Sequence, residues 1–242
     1  FHEYTKEITA SEDGTLFIGF HAISDPDVLY LKLDDISVGI GMPETAPDAV
    51  GELKAEPGAK GAKYATISFT APSKSINGNA LTDKVTLKIK RGDTVIKEFK
   101  DVEPGSKQTF VDNVSENGFN SYRVTSLNAD GEGRSTEPIT IYVGMDYPSA
   151  PALSAADNSS SIKVSWTDSD TGVYGGYVDT EAVSHKFYNL KTTASGITPE
   201  FEADIPVGTS SYDTAINTDE GEQTLKQYGV SAVNEVGEGM IS

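Results

Sequence analysis

Cysteine is absent from all 242 residues. That excludes disulfide staples, thiolate zinc sites and a cysteine nucleophile. Bases are scarce: 19 Lys and Arg stand against 37 Asp and Glu, for a formal net charge of −18. Phosphate backbones need a positive surface, so nucleic acid is not an expected partner. Long apolar runs are missing too. Leu16-Phe17-Ile18 is among the longest, far below the ~20 residues of a membrane-spanning helix, and the chain reads as not transmembrane. No leader pattern is visible, and the chain opens on Phe1 rather than Met, which reads as a processed chain or an excised piece.

What is present is enough for a core. Hydrophobic residues make up 37% and aromatics 9%, more than a disordered chain carries. The length suits one large domain or two to three small ones. Charge is unevenly spread: residues 1–45 net to −7, residues 46–144 to zero and residues 145–242 to −11. Such asymmetry suggests modules with separate surfaces. Two proline-containing connectors share a wording, Val38-Gly39-Ile40-Gly41-Met42-Pro43 up to Ala46-Pro47, and Val143-Gly144-Met145-Asp146-Tyr147-Pro148 up to Ala150-Pro151. Proline fixes φ and removes a donor, so these read as semi-rigid linkers.

The text after each connector repeats. Ala46-Pro47 with Leu53 pairs with Ala150-Pro151 with Leu153, and Phe69 with Trp166. Tyr122-x-Val124-x-x-x-Asn128-x-x-Gly131-x-Gly133 pairs with Tyr228-x-Val230-x-x-x-Asn234-x-x-Gly237-x-Gly239. A period near 100 residues is that of tandem small domains. Val85, Leu87 and Ile89 alternate with Thr86, Lys88 and Lys90, and Thr136 to Val143 alternates again. This period of two, broken by turn residues, predicts all-β sandwiches and no amphipathic helix.

These residues resemble the fibronectin type III module over about 46–144 and 149–242. The resemblance implies that Phe69 and Trp166 fill the core from the second strand. It also implies that Tyr122 and Tyr228 are tyrosine-corner residues whose hydroxyls bond back to upstream backbone. Gly14 to His21 and Leu29 to Val38 resemble the last strands of the cleaved-adhesin, or choice-of-anchor, jelly-roll domain of bacterial surface proteins. The expected fold is therefore all-β: two immunoglobulin-like (fibronectin type III) β-sandwiches plus a partial jelly-roll segment. Its divisions are 1–41 (truncated jelly-roll), 42–144 (first module) and 145–242 (second module, last strand incomplete).

Candidate sites are few. Leu29, Leu31 and Leu33 give way to Ile36, Val38 and Ile40, so the inward face switches at Asp34-Asp35, as a β-bulge would make it. The plainer reading is a solvated bulge; the alternative is that Asp34 and Asp35 ligate calcium, the one cofactor considered. Arg91-Gly92-Asp93 spells the integrin-binding tripeptide, but Gly-Asp between two strands reads first as a hairpin turn. Asp168-Ser169-Asp170-Thr171-Gly172 resembles a calcium loop without its closing Glu, and Asp219-Glu220-Gly221-Glu222 reads as a solvated acidic turn. His2, His21 and His185 stand without a visible nucleophile or acid, so no catalytic set is expected.

The expected role is a non-catalytic module array of a bacterial cell-surface or secreted adhesin-like protein. It would be extracellular and monomeric, and would space or present a domain that binds an unidentified protein or carbohydrate. The alternatives are accessory modules of a secreted glycan- or peptide-cleaving enzyme, and a strand-donating polymer.

Overall fold

A computed structural model describes residues 42–158, 160–215 and 225–242. The jelly-roll reading of 1–41, with Asp34, Asp35, His2 and His21, lies outside these residues, as does the acidic turn 219–222. Fourteen strands are described and no α-helix among the described residues; one three-residue 3-10 turn spans Ala59–Gly61.

Eight strands form the first unit: β1 (Gly51–Pro57), β2 (Tyr64–Thr70), β3 (Val85–Arg91), β4 (Thr94–Val102), β5 (Lys107–Asn113), β6 (Gly118–Asn128), β7 (Gly131–Ser135) and β8 (Ile139–Val143). One sheet has the order β1-β2-β5; the other runs β4-β3-β6-β7, with β8 also pairing β6. All described pairings between named strands are antiparallel.

The alternation of Val85 to Lys90 does what period two requires. Val85, Leu87 and Ile89 are buried while Thr86, Lys88 and Lys90 are not, because successive Cβ atoms point to opposite faces. They meet Ile67 and Phe69 of β2 and Tyr122 and Val124 of β6 in one core. The expected run from Thr136 to Val143 is shorter than read, since β8 begins only at Ile139. Pro138 has no amide to give the ladder, and Thr136 is held instead by its own N–H donating to the Val124 carbonyl at 3.0 Å.

Six strands form the second unit: β9 (Ala152–Asn158), β10 (Ser161–Thr167), β11 (Ser184–Thr193), β12 (Gly196–Ile205), β13 (Ser211–Ala215) and β14 (Gln227–Val233). Their sheets run β13-β10-β9 and β12-β11-β14. Strand by strand this repeats the first unit, β9 standing for β1 and β14 for β6. Trp166, Phe187 and Val230 fill a second core that shares no residue with the first. Two sheets face each other around each core, which is the immunoglobulin-like sandwich in its fibronectin type III arrangement.

The two tyrosines differ from the expectation. Tyr122 is fully buried, but its hydroxyl donates to Asp112 Oδ2 at 2.9 Å, a side chain rather than backbone. The hydroxyl of Tyr228 is buried without a partner among the described residues.

Candidate functional site

The connector after β8 is not a free spacer. Asp146 is 0% exposed and receives three backbone N–H groups. Tyr147 donates to Oδ1 at 2.7 Å; Tyr174 and Gly176 donate to Oδ2 at 2.7 and 3.0 Å. The Asp146 N–H donates to the Tyr177 carbonyl at 2.9 Å, and Asn234 Nδ2 donates to the Asp146 carbonyl at 2.7 Å. Amide dipoles converging on one carboxylate satisfy it without a cation. The loop reaches so close because it is glycine-rich: a Cβ on Gly176 would stand 2.4 Å from the Tyr142 ring and 2.8 Å from Asp146 Cβ.

Contacts across the joint come from both units. Asn117 Oδ1 accepts the Met145 N–H at 3.2 Å. Met145 lies against Gly61 of the first unit and forms a β-bridge with Tyr177 of the second. Tyr142 of β8 and Tyr174 of the second unit are stacked with centroids 5.9 Å apart. Phe119 of β6 stands edge-on to both, at 5.2 and 5.5 Å. Burial first, and then the charge of Asp146, pushes the Tyr142 hydroxyl above its ordinary range.

The first connector is docked in the same manner. Asn128 Nδ2 donates to the Thr45 carbonyl at 3.0 Å, as Asn234 does to Asp146. Ile76 N–H donates to the Ala46 carbonyl, as Val173 does to Tyr147. These matches pair Thr45 with Asp146 and Pro47 with Pro148, so the sequence pairing of Ala46-Pro47 with Ala150-Pro151 is shifted by three residues. The cause is that the asparagine clamps, and not the Ala-Pro dipeptides, fix where each connector sits.

Other singled-out residues serve local structure. Arg91 ends β3 and Gly92-Asp93 forms the two-residue turn to β4, with Arg91 paired to Thr94 and Gly92 at φ +57. Arg91 donates to Asp112 at 2.8 Å and Asp93 accepts from Arg123 at 2.8 Å, so both charged side chains are turned to partners on the same unit. Asp168 and Asp170 have separate partners: Asp168 accepts from His185 Nε2 at 2.9 Å and Asp170 from the Thr171 hydroxyl at 3.3 Å. No acid was expected beside His185; the fold supplies one 17 residues away. Its Nδ1 is buried and meets no hydroxyl among the described residues, and the ring packs against Trp166 at 5.1 Å.

Glu238 was not singled out in the sequence, yet it ties three side chains of β11 and β14. Lys186 donates at 2.6 Å, Ser231 at 2.7 Å, and Tyr188 donates through its hydroxyl. Burial pushes the Glu238 carboxyl up, but these donors outweigh it and hold it down at about 2. No signal in the sequence marks it, apart from its place between Gly237 and Gly239.

No protein-family model matches the chain, and no curated protein matches it. Solved structures to which it is similar include the chicken CNTN1 FN1-FN3 domains, at 16% identity and TM-score 0.30, covering 81% of this chain and 65% of that one. Another is a segment of two fibronectin type III domains from chicken tenascin, at 15% identity and TM-score 0.31, covering 80% of this chain and 95% of that one. Neither brings a residue role with it.

Proposed function

We propose that the chain is a non-catalytic spacer: modules 42–144 and 145–242 of a bacterial cell-surface or secreted adhesin-like protein, following the jelly-roll strands of 1–41. It acts outside the cell, as a monomer, and presents a binding domain at a set distance and angle. Among the described residues no helix is long and apolar enough to cross a membrane.

The observation that carries this reading is the burial of Asp146 in the joint. A flexible tether leaves its backbone to water, whereas here the connector is hydrogen-bonded into the second unit at its amide, carbonyl and side chain. Removing the carboxylate leaves three N–H groups without their acceptor, and the buried one, of Gly176, alone costs about 1–3 kcal/mol. The joint therefore resists bending, which is what a spacer needs.

Small-angle scattering of the chain and of its Asp146→Ala variant tests this. An elongated particle is expected, its profile broadening toward many conformations in the variant. A compact profile, or identical profiles for the two proteins, would contradict it.

A further inference from the structure

Large exposed apolar side chains gather at the joint. Phe119 is 60% and Tyr174 51% exposed, and with Tyr142 they form one continuous aromatic surface. Two rings come from the first unit and one from the second, so the surface exists only when the units are joined. Scattered exposed apolar residues are ordinary; rings in mutual contact make a patch of the kind that binds partners. Tyr and Phe are enriched at the centres of protein interfaces, and Tyr is among the residues that carry most of the binding energy there.

The surroundings of the patch define the partner's charge. Tyr142 also lines a groove of about 320 Å³ between the units. Lys60, Asp170 and Tyr177 also line a second hollow of about 390 Å³, whose wall includes Asp179 and Glu181. Three carboxylates and one ammonium line the two hollows. The chain on that side is itself strongly acidic, with four bases and 15 acids over residues 145–242.

We propose that this joint surface docks a protein partner through a segment in which an apolar side chain is flanked by lysine or arginine. The rings take the apolar group, and their faces also attract the flanking cations. Asp170, Asp179 and Glu181 take the basic groups and disfavour acidic partners by like-charge repulsion. Because the joint is hydrogen-bonded in place, the surface is formed before the partner arrives, which spares it the ordering cost of a mobile one. The proposal goes beyond the spacer reading and rests on its fixed joint.

The test is to pan phage-displayed random dodecapeptides on the full chain, then titrate the enriched peptides as synthetic probes. The expected peptides combine Lys or Arg with an aromatic or aliphatic residue. Their affinity falls at least tenfold in Tyr174→Ala. It falls several-fold in the pair Asp179→Asn with Glu181→Gln, which leaves the rings untouched. A remote exposed apolar change, Phe201→Ser, and a remote charge pair, Asp157→Asn with Glu200→Gln, leave it within twofold. Scattering of the Asp179/Glu181 pair variant stays that of the parent, so lost binding there is distinguishable from a loosened joint. Failure of any peptide to enrich, enrichment without basic residues, or equal loss in the remote charge pair overturns the proposal.

Discussion

Asp112 Oδ2 serves two donors at once, the Tyr122 hydroxyl at 2.9 Å and Arg91 at 2.8 Å. Burial, and then the Asp112 carboxylate, push the Tyr122 hydroxyl far above its ordinary range, so it stays a donor at every working pH. Asp112→Ala leaves a fully buried hydroxyl without an acceptor and Arg91 without its anion, and is expected to cost about 3 kcal/mol. Tyr122→Phe keeps the ion pair and costs about 1 kcal/mol. Urea unfolding of the two variants checks the order, and a larger loss for Tyr122→Phe would go against it. Glu238 gives a pH signature. Its folded value, about 2, lies below the ordinary 4.5, so its contribution is complete above 4.5 and is lost as pH falls toward 2. Glu238→Gln should therefore flatten the urea midpoint over that window while leaving its slope above pH 5 unchanged. An unaltered acid limb would mean the Lys186, Tyr188 and Ser231 contacts do not hold in solution.

At the scale of elements, each unit locks its connector under a glycine of the Gly-x-Gly pair. A Cβ on Gly133 would stand 1.8 Å from the Pro47 carbonyl oxygen, and one on Gly239 1.9 Å from that of Pro148. Backbone is the obstacle in both cases, so Gly133→Ala and Gly239→Ala should each destabilise by about 2 kcal/mol or more. Differential scanning calorimetry reads this directly, and a neutral result at either position would show that connector to be loosely held. The sandwich itself was legible from sequence, because alternation at Val85 to Ile89 reports burial through a two-residue period that needs no distant partner. The Asn and Gly-x-Gly wording likewise marked real equivalents. What stayed hidden depends on residues brought together by the fold. Asp146 looks like any linker acid until Tyr174 and Gly176 arrive from about 30 residues on, and His185 looks solitary until β10 delivers Asp168. The tyrosine hydroxyl was expected on backbone, but a carboxylate on β5 lay nearer.

For the whole molecule, the question is whether two sandwiches with separate cores move as one body. Their cores share no residue, so core packing does not couple them. Coupling across the joint rests on the Asn117 bond to Met145, the contact of Met145 with Gly61 and the aromatic trio, while the Asp146 cradle fixes the connector to the second unit. Asp146→Asn is expected to loosen the joint less than Asp146→Ala, because the amide oxygen can still accept from Tyr174 and Gly176 and its NH2 meets only the Tyr147 N–H. The absence of cysteine makes the decisive measurement clean: a cysteine pair at exposed Lys100 and Lys191, carrying spin labels, reports the distance between the units by pulsed electron resonance. A single narrow distance distribution is expected, becoming broad in Asp146→Ala. A distribution already broad in the unmodified joint would contradict it.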